Sequence, residues 1–262
     1  MLNSWIQTRK DPELEKLLHS LVEKYFPKLF EHMRNFNDPV PVTSINAVQS
    51  FCRLFDVFGT SENGVSNLKD EASFKKIVEL WFVFCMIWSI CATLGEDTQK
   101  QIDTVIREMD GTFPNKDTIY EYYVDVKNKT WVHFEQKLNS IQWKYEPLKP
   151  FYKIVVPTID IVRYDILLTG LLMNNQPVLL TGPVGTGKTS IATAVLDKMP
   201  KEKFCELNIN LSAQTSSNMV QEIIESKVEK RTKGVYLPPG GKRMIIFLDD
   251  VNMPAKDTGV RF

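Results

Sequence analysis

Hydrophobic positions up to about residue 145 recur mostly at helical spacing, and beyond it strand-like runs alternate with helical stretches. Asp11-Pro12 predicts a helix start, with Asp11 as N-cap and Pro12 at the first helical position. Leu14, Leu17, Leu18, Leu21 and Tyr25 follow on one face, and Pro27 is expected to end or kink that helix. Asn37-Asp38-Pro39-Val40-Pro41 predicts a loop. Thr43 or Ser44 begins a second helix, with Ile45, Val48, Phe51, Cys52, Phe55 and Phe58 on a broad apolar face that Gly59 to Gly64 closes. A long apolar helix runs on toward Gly95, and Asp97 to Met109 forms a shorter one. The aromatic and β-branched runs at 119–126 and 131–134 predict two extended segments joined by the turn Lys127-Asn128-Lys129.

The run Ile77 to Leu94 approaches the ~20 apolar residues that a membrane span needs. Glu79 shortens the clean stretch to about fifteen, and polar amphipathic helices surround it, so the expectation is a buried core helix and no membrane contact.

Prolines between Pro147 and Pro157 mark a boundary, which divides the chain into a helical region (1–145), a linker (146–157) and a second region (158–262). The second region predicts a helix (Ile159 to Met173), a strand (Pro177 to Leu180), a loop, a helix (Lys188 to Met199) and a strand (Phe204 to Ile209). A helix (Asn218 to Arg231), a hairpin and a strand (Met244 to Leu248) follow. This alternation implies a mainly parallel sheet in an α/β fold.

Gly182-Pro183-Val184-Gly185-Thr186-Gly187-Lys188-Thr189 fills the turn between strand and helix. That is the context of a phosphate-binding loop, and the four fixed positions match by chance in roughly one chain of this size in a hundred. Glycines let backbone N–H groups turn inward at the positive end of a helix. Lys188 supplies a point charge for β- and γ-phosphates, and the Thr189 hydroxyl suits Mg²⁺. About sixty residues on, Met244-Ile245-Ile246-Phe247-Leu248 ends in Asp249 and Asp250. In nucleoside triphosphatases a buried strand ends so, with Asp249 placed to hold the metal and Asp250 to orient or deprotonate water. A core strand ending in an ordinary acidic turn is the plainer account of that run alone, and its pairing with the glycine loop tips the balance.

Other features change the picture little. The polar stretch Asn208 to Ser217 could sense a γ-phosphate, but capping is its commoner use. Lys227, Lys230, Arg231, Lys233, Lys242 and Arg243 cluster around Pro238-Pro239-Gly240-Gly241 with only Tyr236 as an aromatic platform, which suits a solvated face rather than a nucleic-acid patch. Lys+Arg and Asp+Glu are both 32, so no net field draws nucleic acid. Cys52, Cys85, Cys91 and Cys205 lack zinc-site spacing, His19, His32 and His133 are scattered, and a reducing, cytoplasmic setting is the default.

Val156-Pro157-Thr158, the loop from Leu180 to Thr189, Asn210 to Ser217, Lys230 to Tyr236 and Asp249-Asp250-Val251-Asn252-Met253-Pro254-Ala255-Lys256-Asp257 together resemble a dynein heavy chain of the axonemal branch. The match is to the third of its six AAA+ modules, and residues 1–145 resemble the lid portion and linker of the preceding module. The resemblance implies an incomplete AAA+-type P-loop NTPase fold with a parallel sheet after a mostly α-helical region. It implies ATP or ADP with Mg²⁺ on Gly182 to Ser190, with Thr189 and Asp249 serving the metal and Val156, Pro157 and Thr158 bordering the adenine. It further implies neighbouring AAA+ modules in the same heavy chain, microtubules and dynein intermediate and light chains as partners of the parent, and the cytoskeleton of the ciliary axoneme as its place.

Two departures qualify this. Many AAA+ proteins carry Glu where this chain has Asp250, and the missing methylene shortens the reach by about 1.5 Å, enough for roughly a hundredfold in rate. The expectation is nucleotide binding in a regulatory role with slow or absent hydrolysis. The chain also stops at Thr258-Gly259-Val260-Arg261-Phe262, before the remaining strands, which predicts exposed apolar sheet faces and poor stability. The alternatives are a nucleotide-gated structural module that never hydrolyses, and an unrelated P-loop enzyme such as a small-molecule kinase.

Overall fold

The computed structural model describes residues 1–34, 40–66, 70–148, 150–151 and 154–256. The chain forms two compact units, Met1–Gln176 and Pro177–Phe262. The loop expected at Asn37 to Pro41 lies largely outside the described residues, as do Asp257 to Phe262.

The first unit is a helical assembly around an aromatic core. Its helices are α1 (Leu2–Gln7), α2 (Pro12–Met33), α3 (Ser44–Phe58), α4 (Glu71–Ser89), α5 (Glu96–Met109), α6 (Phe134–Asn139) and α7 (Ile159–Met173). The Asp11 carboxylate accepts from the Glu13 and Leu14 N–H groups, and the Thr43 and Thr158 hydroxyls cap α3 and α7 in the same way. α4 is apolar nearly all round and is buried on almost every side, which is the only stable place for such a helix in water. Among the described residues no helix is long and apolar enough to cross a membrane. Glu79, the charge within that run, accepts from Lys24 at 2.8 Å and from the Tyr25 hydroxyl at 3.2 Å. Phe26, Phe51 and Phe82 meet with ring centroids 4.9–5.7 Å apart.

Of the two expected extended segments, Tyr122–Asp125 (β1) and Thr130–His133 (β2) form a hairpin with Lys127-Asn128-Lys129 in the turn, whereas Ile119–Glu121 form a 3₁₀ helix and Phe134 opens α6. Arg107 braces its approach, pairing with Asp103 and donating to the carbonyls of Pro114 and Asp117. Arg163 of α7 is 8% exposed and pairs with Glu121 at 2.6 Å. Gly170 of α7 faces α3 so closely that a Cβ there would lie 2.9 Å from Phe58 Cζ.

The second unit holds α8 (Lys188–Lys198), β3 (Phe204–Asn210), α9 (Ser217–Glu225), the hairpin β4 (Glu229–Thr232) and β5 (Val235–Leu237), and β6 (Arg243–Asp249). β3 and β6 pair in parallel, in register from Phe204 opposite Arg243 to Asn210 opposite Asp249. Val195, Leu196, Met199, Phe204, Leu207 and Ile209 form its small core.

Several expectations need correction. Pro27 does not end its helix, since α2 runs on to Met33. Burial of Tyr25, Phe26 and Leu29 compensates for the hydrogen bond that proline removes. Ile45 is 65% exposed in the first turn of α3, off the buried face. α4 ends at Ser89, six residues short of Gly95. The helix expected to reach Arg231 stops at Glu225, because Glu229 to Thr232 pair with the next strand across a turn in which Gly234 takes φ 78°. In α8 the inward residues are Ile191, Ala192, Val195 and Leu196, with Ala194 only partly covered. Pro177 to Leu180 have no ladder partner among the described residues, and Leu179 is 73% exposed. A strand is defined by its neighbour's hydrogen bonds, and here the parallel sheet consists of β3 and β6.

Candidate nucleotide site

The glycine loop and the end of β6 meet inside the second unit. Gly185 and Gly187 adopt φ 82° and 80°, in the left-handed region open to glycine, and a Cβ on either would meet open space. Backbone conformation, not crowding, therefore demands glycine there. Gly187 is the N-cap of α8, so the loop runs straight into the positive end of that helix. The first turn of α8 carries no acidic residue to neutralise it. Val184 stands fully exposed at the loop tip, and Ser190 lies exposed in the first turn of the helix.

Lys188 folds back over its own loop. Its ammonium donates to the Gly182 carbonyl at 2.9 Å and the Pro183 carbonyl at 2.7 Å, with Thr186 Oγ1 at 3.4 Å. The Thr186 hydroxyl also donates to the Pro183 carbonyl at 2.9 Å. These bonds close the loop into a ring around the cation.

Sixty residues apart in sequence, Thr189 and Asp249 are in contact: the Thr189 hydroxyl donates to Asp249 Oδ2 at 2.9 Å. The helix start and the strand end thus present two hard oxygen donors side by side, the chemistry that Mg²⁺ prefers. Asp249 Oδ1 accepts from the Asp250 N–H at 3.0 Å. Asp250 itself is exposed and sits at φ 54°, in the left-handed region.

Val156, Pro157 and Thr158 belong to the first compact unit. There Val156 is 56% exposed, and the Thr158 hydroxyl accepts from the Ile161 N–H at 3.3 Å. In the polar stretch after β3, Ser216 caps α9 by accepting from Met219, and Thr215 accepts from the Ser212 N–H. Cys205 is half-buried, and Cys52, Cys85 and Cys91 are buried with no disulfide among the described residues. Among the described residues no cluster of His, Cys, Asp or Glu is arranged to hold a metal ion. His133, which the sequence left without a role, caps α6 through Nδ1 and faces the Asp117 carboxylate with Nε2 at 3.1 Å. The pinning of Asp249 by the following backbone was also missed. Its sequence signal is the turn-forming Asp250-Val251-Asn252-Met253-Pro254 directly after an apolar strand.

Residues 143–259 match the family described as the P-loop containing dynein motor region, and residues 18–136 match the dynein heavy chain AAA lid domain. The chain is 53% identical to dynein axonemal heavy chain 2 of Mus musculus and 51% identical to that of Homo sapiens, over 98% of its own length in each case. It is 37% identical, over 97% of its length, to the dynein-1-beta heavy chain of the flagellar inner arm I1 complex of Chlamydomonas reinhardtii. It spans 6% of the length of each of these relatives. The lid match, the P-loop match and the similarity along nearly all of this chain agree, and the chain belongs to the axonemal dynein heavy chain family.

Proposed function

We propose that this chain binds ATP or ADP with Mg²⁺ on Gly182 to Ser190, in a regulatory role with slow or no hydrolysis. The observation that carries this reading is the contact between Thr189 and Asp249 beside a glycine loop that opens a helix. Loop N–H groups and the α8 N-terminus attract phosphate oxygens, and Lys188 exchanges its carbonyl acceptors for them. Thr189 and Asp249 hold the cation, whose part is to neutralise phosphate charge. Slow turnover follows from Asp250, whose shorter side chain sits on an exposed turn.

In this reading residues 1–145 are the lid and linker region of a preceding AAA+ module, 146–157 a linker, and 158–262 the first part of the next P-loop core. The parent heavy chain is a microtubule-based ATPase motor of the ciliary axoneme, with other AAA+ modules, intermediate and light chains and microtubules as its partners. The names of the relatives, axonemal and flagellar, support that setting. The test is equilibrium binding of a fluorescent ATP analogue to the 262-residue chain. Lys188→Ala should weaken binding by about tenfold or more, since it removes a charge-assisted phosphate contact. Unchanged affinity would sink the proposal, and steady-state turnover at the rate of a full motor would sink its regulatory part.

A further inference from the structure

We infer that Asp250 is a positioning residue that acts through its backbone: its left-handed conformation, rather than its carboxylate, holds Asp249 ready for a divalent cation. The inference rests on the nucleotide site proposed above and names what keeps its metal-side carboxylate in place.

The peptide unit between Asp249 and Asp250 is pinned on both sides. Its carbonyl accepts from the Leu211 N–H at 3.1 Å, and its N–H donates to Asp249 Oδ1 at 3.0 Å. The carboxylate is thereby turned so that Oδ2 meets Thr189 at 2.9 Å. Immediately beyond, the chain reverses. The Asp250 carbonyl accepts from the Met253 N–H at 2.9 Å, and the Ala255 N–H reaches the Ala213 carbonyl at 3.4 Å in the loop after β3. That reversal requires the φ of 54° at Asp250, the one positive φ at a non-glycine residue among the described residues of the second unit. Had the chain continued extended along β6, residues 251–255 would leave Ala213, and the pinned peptide would lose its support. Glycine, asparagine and aspartate enter this region readily, and β-branched residues do so only under strain. Aspartate at 250 therefore satisfies a backbone requirement that a β-branched side chain meets poorly.

The experiment measures ATP affinity of the 262-residue chain twice, in EDTA and in MgCl₂, and takes the ratio as the Mg²⁺-dependent gain. Asp250→Gly, which deletes the carboxylate but keeps the turn, and Asp250→Asn should both retain the gain within about twofold. Asp250→Val should lose about tenfold of it, with affinity in EDTA close to wild type. A glycine variant that loses as much as the valine variant overturns the inference, because the carboxylate itself would then be the determinant. A wild-type chain with no Mg²⁺-dependent gain also overturns it. Failure of the wild type to bind ATP even in EDTA instead removes the nucleotide reading underneath. Should the valine variant not fold, the comparison of glycine with wild type decides alone.

Discussion

Phe82 and Ile246 both sit in the middle of apolar runs, yet Phe82 is fully buried and Ile246 is 40% exposed. The first lies on α4, where α2 and α3 bring Tyr25, Phe26 and Phe51 against it. The second lies on β6, whose sequence is the continuous hydrophobic run of a strand covered on both faces. Here β6 has β3 as its ladder partner, and Ile246 and Leu248 remain open to water. Burial in this chain is thus concentrated in the helical unit, while the candidate chemistry sits in the unit with the thinner core. The comparison teaches that the two properties have separate causes. Packing needs neighbouring layers, whereas the Thr189–Asp249 contact needs only a helix start, a strand end and their local hydrogen bonds.

The largest effect should come from Phe82→Ala, which removes a ring from a closed aromatic cluster and should cost about 3–5 kcal/mol. Urea unfolding followed by tryptophan fluorescence is the measurement, because Trp5, Trp81, Trp88, Trp131 and Trp143 all lie in the helical unit. A loss below about 1 kcal/mol would break the picture of a tight core there.

Alkali should weaken the same unit next. Burial pushes the Cys52 thiol up from 9.0 to about 12, aided by the Asp56 charge. The phenols of Tyr25 and Tyr120 are raised above 10.0, mainly by burial. Each folded-state pKa exceeds its unfolded value, so these contributions are complete below pH 9 and shrink as the unfolded chain ionises first. Cys52 alone should cost about 2–3 kcal/mol at about pH 11. Phenolate and thiolate absorbance should then rise together with the loss of helical signal, not ahead of it. Smallest of all should be Ile246→Ala, under about 1 kcal/mol, read from amide exchange along β6. A loss matching that of Phe82→Ala would mean this face is covered after all.

Local chemistry was legible in the sequence wherever one residue decides it. Asp11 and the Thr43-Ser44 pair announced their helices, and α7 spans Ile159–Met173 as its pattern put it. The glycine loop was legible because its residue types and spacing have few other uses, whereas Asp249 stood out only beside that loop, since an apolar strand ending in an acidic turn is common. What depends on a distant neighbour was not. Pro177 to Leu180 have the composition of a strand but no partner along them among the described residues. Pro27 is a helix breaker overruled by the burial of Tyr25, Phe26 and Leu29. The helix after Ser216 gave way to a hairpin whose register is set by Val235 to Leu237 across the turn. Short α1 and α6 carry too few turns for periodicity to register.

Lys188 offers a last consequence, in terms of entropy. A free lysine has about 2 kcal/mol of rotamer freedom to lose when it grips a ligand. In this structure the side chain is already folded inward onto the Gly182 and Pro183 carbonyls. An anion entering the loop would find the cation in place and would exchange acceptors instead of recruiting a mobile arm. Much of the ordering is complete before any encounter, and the loop's grip then depends on how well an anion outcompetes two neutral carbonyls.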